Sequence, residues 1–158
     1  MLERAKTLVS ELAFGAMMAA KALLSPVALG ASALIVDRSG KVLLARHSYM
    51  TGWSLPGGGV ARGEPPAAAA VLREVKEEIG SVQSDAPELV GVFSRRSGWA
   101  TNVVLLYRLT NADVVFTPNI EVREVRFVDP AAPPPGTTAG TRRRLAEFAN
   151  KTPPALTW

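Results

Sequence analysis

Residues 52–81 read GWSLPGGGVARGEPPAAAAVLREVKEEIGS. The alanine-rich sequence from about Pro66 to Ile79 predicts a helix, because prolines suit a first helical turn and Gly80 suits a helix end. Directly before it come three consecutive glycines, Gly57–Gly59. Such a run is most often a flexible loop, but it also lets a backbone approach a ligand closely. The stretch therefore predicts a short helix entered through a glycine-rich loop.

Three carboxylates share one side of this predicted helix. Glu74, Glu77 and Glu78 stand at positions i, i+3 and i+4, which helical geometry places together. Neighbouring like charges repel, so the cluster costs stability unless positive charge lies against it. A divalent cation is one candidate besides Arg73 and Lys76, and a solvated acidic surface is the alternative. The adjoining glycine loop favours the cation.

The order of these residues resembles the signature of the Nudix, or MutT-like, hydrolases: G-x5-E-x7-R-E-U-x-E-E-x-G-U, with U a bulky aliphatic residue. Here it runs as Gly58, five residues, Glu64, eight residues, and then the block from Arg73 to Gly80. The resemblance is specific over residues 52–81. It implies an α+β fold, an αβα sandwich with a mixed β-sheet.

Two positions depart from the family pattern. The stretch between Glu64 and Arg73 is one residue longer than in the family, and Ser81 replaces the final aliphatic residue. We keep Glu64 in register with Gly58 and place the extra residue at the helix start, where prolines are tolerated. A register held rigid from Arg73 backwards would put Pro65 in the glutamate position instead.

The resemblance also implies an activity. The family hydrolyses phosphoanhydride bonds in nucleoside-diphosphate-linked substrates or nucleoside triphosphates, with Mg²⁺ or Mn²⁺ as the cofactor. Carried over, it makes Glu74, Glu77 and Glu78 metal ligands or ligand-orienting groups, with the Gly57 carbonyl as a further ligand. Arg73 would orient the carboxylates. The implied catalytic set is Arg73, Glu77 and Glu78, and the supporting motif positions are Gly58, Glu64 and Gly80.

A glutamate must also take the proton of the attacking water. In the family this base is either a helix glutamate or one on a later loop. The later candidates are Glu121 and Glu124, beside the last predicted strand, and exposed strand-edge charges are the alternative interpretation. We favour Glu121, because Asn119-Ile120 directly before it looks like the end of a loop.

Several residues outside the signature are candidates for contact with substrate. Arg46 ends a predicted strand close to the glycine loop and could grip a phosphate, although a surface arginine is an equal alternative. We expect His47 to be a loop or packing residue and Trp53 to pack in the core beneath the loop. The remaining candidates for substrate selection lie between two strands: Arg95, Arg96 and Trp99.

The sequence divides into an N-terminal element, residues 1–27, and a catalytic domain, residues 28–158. Apolar residues recur at helical spacing over residues 2–24, and the segment from Leu12 to Ala20 is apolar on every side. Such a helix must be buried. Its candidate partners are the rest of the domain, a second subunit in a homodimer, or a membrane surface, and we favour protein.

The flanking sequence predicts the rest of the fold. Runs at 31–36 and 41–46 are β-rich, and the turn signal between them predicts an antiparallel hairpin. Further strands are predicted around 89–94, 103–109 and 122–128. A closing helix has Leu145, Phe148 and Ala149 on its core side, so we expect helices on both faces of the sheet.

Composition limits the function classes. The chain has 158 residues, 47% hydrophobic and 20% charged, which predicts one globular domain. It has no cysteine and a single histidine, which excludes disulfides, thiolate zinc sites and three-histidine zinc sites and makes a cytoplasmic location our prediction. The net charge of +4 suits phosphorylated ligands. Specific nucleic-acid binding is not predicted, and we expect Arg142–Arg144 to form a solvated helix face.

Two rival functions remain open at this stage. The extra residue before Arg73 is compatible with a non-catalytic domain that binds a nucleotide or a protein. A peripheral membrane role, driven by the N-terminal helix and the basic charge, is the weaker alternative.

Overall fold

The computed structural model describes residues 27–61, 63, 67–98 and 100–158. The strands within these ranges are β1 Val27–Ile35, β2 Val42–His47, β3 Gly57–Gly59, β4 Gly80–Gln83, β5 Glu88–Ser97, β6 Ala100–Leu109, β7 Asp113–Phe116 and β8 Val122–Val128. The helices are α1 Ala67–Glu78 and α2 Ala139–Asn150. The helix predicted over residues 2–24 lies outside the described residues, as do Glu64 and the place of the extra residue next to Pro65. No helix in the described ranges is long and apolar enough to cross a bilayer.

The central sheet is mixed, as predicted. Its strand order is β3-β1-β6-β5. Strands β1 and β6 run parallel, from Val27 beside Thr101 to Ile35 beside Leu109, whereas β3 and β5 are antiparallel to their neighbours. Two further pairs, β2 with β8 and β4 with β7, are antiparallel.

The predicted hairpin between β1 and β2 is wrong. The turn forms, with the Asp37 carboxylate accepting hydrogen bonds from the backbone N–H groups of Ser39 and Lys41. Beyond a single bridge between Val36 and Val42, however, the two strands join different partners. From Ala31 onwards β1 is buried on both faces, and β2 is buried on both faces except at Arg46. Such strands belong in the interior of a layered domain, and a two-stranded hairpin with a solvated face does not suit them.

Alternate residues along β1 face two different helices. Ala33 and Ile35 pack in a first core, against Val71 and Val75 of α1. Leu34 packs in a second core, with Leu145 of α2. The sheet therefore lies between the two helices, and this explains why β1 reads as an unbroken apolar run.

Helix α1 matches the predicted helix closely. Val71, Val75 and Ile79 are buried against the sheet, while Arg73 and Glu77 lie on the outer side. The helix ends where expected, because Gly80 has a backbone φ of 107°, a conformation that glycine adopts without strain.

The prediction that Arg142–Arg144 form a solvated helix face is wrong for one of the three residues. Arg142 and Arg143 are exposed as expected, but Arg144 is buried, with its guanidinium 4.0 Å from the centre of the Phe93 ring. Its Nη2 donates to the carboxylate of Glu147 at 2.7 Å. The face that carries Leu145 into the second core also turns Arg144 inward, since adjacent residues lie only about 100° apart on a helix.

Candidate active site

The glycine run forms the strand β3, packed between β1 and α1, and not the free loop that the sequence suggests. A Cβ atom at Gly57 would overlap the backbone of Ala31 and Ser32 in β1. A Cβ atom at Gly58 would overlap the carboxylate of Glu74. Glycine is therefore required at position 57 by the close approach of β1, whereas a side chain at position 58 would displace the Glu74 carboxylate from its place against the strand.

Arg73 connects the helix carboxylates to this strand. Its Nη1 donates to Glu74 Oε1 at 2.8 Å and to Glu77 Oε2 at 3.0 Å. Its Nη2 donates to the carbonyl oxygen of Gly59 at 2.9 Å. One guanidinium thus holds two carboxylates and β3 in fixed relation, which is what an orienting role for Arg73 requires.

Glu78 is the buried member of the carboxylate cluster, with 2% of its surface exposed. Its Oε2 accepts a hydrogen bond from the Gly57 N–H at 2.8 Å, and its Oε1 lies 2.9 Å from His47 Nε2. The other imidazole nitrogen, Nδ1, lies 3.1 Å from the Ser54 hydroxyl. Both oxygens of this buried carboxylate therefore have protein donors, as a buried charge needs.

Burial raises the pKa of Glu74 above its ordinary value. Hydrogen bonding and charge from Arg73 act in the opposite direction, while the charges of Glu78 and Glu77 raise the pKa further. The metal-free cluster is thus electrostatically strained. Additional positive charge placed against it would relieve the strain.

The residues of the cluster fit a hard divalent cation by their chemistry. Their oxygens come from Glu74, Glu77 and Glu78, and oxygen ligands are those that Mg²⁺ prefers. The missing Cβ at Gly58 leaves room for the Glu74 carboxylate beside β3. Within the described ranges, no three histidine, cysteine, aspartate or glutamate side chains are already arranged around a common ion position.

A cleft of about 570 Å³ opens beside β3. One wall is formed by Gly57–Gly59 with His47, and another by residues 138–141 at the start of α2. Arg95 and Trp158 also line it. The first turn of a helix presents free backbone N–H groups and favours negative charge, so this wall suits a phosphate.

Of the predicted substrate-binding residues that the structure describes, one lines the cleft and two do not. Arg95 lines the cleft. Arg46 is not a lining residue: it is exposed and pairs with Glu124 at 3.4 Å, because the alternation of β2 that buries His47 turns Arg46 outward. Arg96 is also exposed outside the cleft and donates to the Gly98 carbonyl at 3.2 Å. Trp99 lies outside the described residues.

The loop that carries Glu121 is tied to the end of α1. The side-chain amide of Asn119 donates to the carbonyl of Glu78 at 2.9 Å. Its carbonyl oxygen accepts from the N–H groups of Glu121 and Val122. The other candidate base, Glu124, is held by two arginines on the surface of β8, Arg46 and Arg126.

Negatively charged residues surround the phenol of Tyr49, which lies near this loop. Burial raises the pKa of its phenol, and the carboxylates of Glu78, Glu121 and Glu74 raise it further. The charge of Glu121 therefore acts on the same phenol as the charges of Glu78 and Glu74. This favours Glu121 over Glu124 as the base of the candidate site.

Four polar residues of the site have no place in the sequence motif: His47, Tyr49, Ser54 and Asn119. His47 was expected to be a loop or packing residue, and it is buried, but with polar partners on both ring nitrogens. Trp53 packs in the second core as predicted. The only signal for His47 in the sequence is that a polar residue ends an otherwise apolar run.

The sequence and the fold are similar to those of known proteins. The NUDIX domain family model matches residues 26–148. An RNA pyrophosphohydrolase from Hydrogenovibrio crunogenus is 40% identical over 68 residues, which cover 43% of this chain and 38% of that protein. The chain thus spans well under half the length of this curated relative.

Two solved structures resemble the fold. A MutT NUDIX hydrolase from Burkholderia pseudomallei aligns with a TM-score of 0.67 at 25% identity and covers 77% of this chain and 98% of its own. An ADP-ribose pyrophosphatase from Streptococcus suis aligns with a TM-score of 0.57 at 28% identity, covering 79% of this chain and 92% of its own.

Proposed function

The chain belongs to the NUDIX domain family, and from this membership we propose that it hydrolyses a phosphoanhydride bond, with Mg²⁺ as cofactor and Mn²⁺ as a substitute. The substrate is a nucleoside triphosphate or a compound linked through a nucleoside diphosphate. The observation that carries the proposal is the packing of Glu74 and Glu78 against a glycine strand that lines an open cleft, with Glu77 joined to the same strand through Arg73.

The three carboxylates of α1 share one part in this proposal. Glu74, Glu77 and Glu78 would hold the metal ion together with the carbonyl oxygen of Gly57. A bound metal neutralises the diphosphate and lowers the pKa of an attacking water. Arg73 positions Glu74 and Glu77 relative to β3 through its hydrogen bonds to both carboxylates and to the Gly59 carbonyl.

We assign the general base to Glu121. Within the described residues its carboxylate has no hydrogen bond or ion pair, and the side chain is exposed. Glu78, by contrast, has both carboxylate oxygens engaged by protein donors. A base must be able to accept a proton from water, so the carboxylate without a protein partner suits the role better.

Arg95 and the start of α2 are proposed to bind the substrate phosphates. Arg95 lines the cleft, and a guanidinium can donate two parallel hydrogen bonds to a phosphate. Residues 138–141 line the same cleft and add the backbone donors of a helix N-terminus. The net charge of +4 acts in the same direction over a longer range.

The choice of substrate defines the first experiment. Since the relatives include an RNA pyrophosphohydrolase and an ADP-ribose pyrophosphatase, the panel should contain RNA with a terminal triphosphate and ADP-ribose. Nucleoside triphosphates, nucleotide sugars and dinucleoside polyphosphates complete it. Turnover of RNA in preference to free nucleotides would overturn our prediction of a small-molecule substrate.

The Glu77→Gln variant tests the proposed mechanism. Glu77 is 56% exposed, so the substitution should leave the fold intact while it removes a proposed metal ligand. We expect turnover to fall by about 10²–10⁴-fold. Glu88→Gln is the matched control, because Glu88 is 65% exposed and also pairs with an arginine, Arg108, at the surface of β5. Undiminished turnover in excess chelator would refute the proposal.

The alternative function is a binding domain without catalysis, which the extra residue before Arg73 would favour. Nucleotide binding with no turnover anywhere in the panel would establish it. The homodimer, the membrane contact and the cytoplasmic location stay predictions, since the first two depend on residues 2–24, outside the described ranges.

A further inference from the structure

Two buried polar side chains lie behind Glu78 and have no part in the family motif. His47 is 4% exposed and Ser54 8% exposed. Both line the cleft next to Gly57. A polar side chain is costly to bury unless its hydrogen bonds are made, and these two make theirs to each other and to Glu78.

The hydrogen bonds run in one direction. An ionised carboxylate can only accept, so His47 Nε2 carries the proton that it donates to Glu78 Oε1. The imidazole Nδ1 is then the acceptor for the Ser54 hydroxyl. Ser54, His47 and Glu78 therefore form a relay that selects one tautomer of the ring.

Backbone pairing fixes the positions of Ser54 and His47 in this relay. Ser54 exchanges two backbone hydrogen bonds with Ala45, at 2.9 and 3.0 Å, and so lies beside β2. His47 is the last residue of β2 and pairs with Val122 of β8. Glu78 belongs to the other layer, at the end of α1. The relay thus connects the β2–β8 pair to the helix that carries the carboxylates.

We propose that His47 and Ser54 are positioning residues that fix the Glu78 carboxylate for metal binding. With Gly57 N–H on one oxygen and His47 on the other, the carboxylate plane cannot rotate freely. Donors of this kind orient a ligand and raise its affinity for the metal. This inference rests on the proposed function, in which Glu78 is a ligand.

Metal affinity without substrate tests the inference directly, with Mn²⁺ as the probe and electron paramagnetic resonance as the readout. We expect His47→Leu to weaken Mn²⁺ binding about 10–100-fold. His47→Gln, whose amide N–H can replace Nε2–H, should retain most of the affinity. Ser54→Ala should fall between them. With a substrate from the panel, kcat should decrease in the same order while KM stays constant.

Leu44→Ala is the control for general destabilisation. Leu44 lies on the same strand as His47, but its side chain is buried in the second core. We expect it to lower the thermal stability and leave the Mn²⁺ affinity unchanged. Equal weakening in Leu44→Ala and His47→Leu, or no difference between His47→Gln and His47→Leu, would overturn the inference.

The tautomer can be read in the unmodified protein, so the test does not depend on variants that fold. The chain has a single histidine, and its two ring nitrogens are therefore assigned without ambiguity in a ¹⁵N spectrum. In the neutral ring we expect the Nε2–H form alone. An Nδ1–H form or a mixture would refute the relay. Failure of the wild type to bind Mn²⁺ would instead refute the proposed function, whatever the tautomer.

Discussion

Glu78 and Arg144 both have charged side chains and are both only 2% exposed, but their hydrogen bonding differs. Glu78 lies on the first-core side, where both of its oxygens meet protein donors. Arg144 lies on the second-core side and donates through Nη2 to Glu147, while its Nε and Nη1 have no hydrogen-bond partner among the described residues. Its guanidinium lies over the ring of Phe93.

In the proposed function, this difference separates a buried charge at the metal site from one that stabilises the core. A carboxylate that must present lone pairs in a fixed direction needs directional donors on each oxygen. A guanidinium that only fills a core can be stabilised by an aromatic face, without a full set of hydrogen bonds. Burial lowers the pKa of Arg144, with Glu147 opposing that shift. Substitutions on the two sides should therefore affect different measurements.

The largest effect is expected from Glu78→Gln. The amide has one oxygen in place of two, so it cannot accept from both Gly57 and His47. We expect turnover to fall on the order of 10³-fold and the free energy of unfolding to decrease by about 1–3 kcal/mol. Steady-state kinetics and urea unfolding measure the two. Turnover within ten-fold of wild type would contradict a functional role for this carboxylate.

Arg144→Ala should affect stability alone. The variant loses the contact with Phe93 and leaves the carboxylate of Glu147 without its arginine. A cost of about 3 kcal/mol in the free energy of unfolding is expected for breaking a buried pair. Turnover per folded molecule should stay within a few-fold of wild type. A loss of turnover comparable to that of Glu78→Gln would remove the distinction between the two sides.

Arg95 and Arg46 provide a comparison between a cleft arginine and a surface one. Arg95→Ala should raise KM about ten-fold or more, since a hydrogen bond to a charged group contributes about 1.5–3 kcal/mol. Arg46→Ala should change KM less than two-fold, because its partner Glu124 lies outside the cleft. Equal effects of the two substitutions would show that the cleft is not where the phosphates bind.

The smallest expected effect concerns Glu74, whose pKa in the folded protein is raised by burial. When folding raises the pKa of a carboxyl, the protonated group stabilises the folded state. This contribution to the free energy of unfolding is complete below the pKa of the unfolded chain, near 4.5, and is lost as the pH rises through the pKa of the folded protein. Metal-free Glu74→Gln should therefore be slightly more stable than wild type at pH 7 and equal to it at pH 4. Urea unfolding at both pH values measures the difference, and a less stable variant at pH 7 would show that the contact with Arg73 dominates.

Local spacing was enough to predict the helix α1 and its carboxylate cluster. Arg73, Glu74, Glu77 and Glu78 lie within six residues, and helical geometry alone brings them together. The end of α1 at Gly80 and the strand at 122–128 were likewise predicted from nearby residues. These features depend on contacts between residues close in sequence.

Tertiary structure decided which strands pair and which polar residues complete the site. The turn after β1 has good hairpin chemistry, yet β1 pairs with β6, about seventy residues away, because burial on both faces outweighs a local turn preference. In the same way, His47 meets Glu78 across 31 positions, and Arg144, which α2 turns inward, meets the ring of Phe93 in β5. Contacts between distant residues leave no periodic trace in the sequence, so only the packed layers determine them.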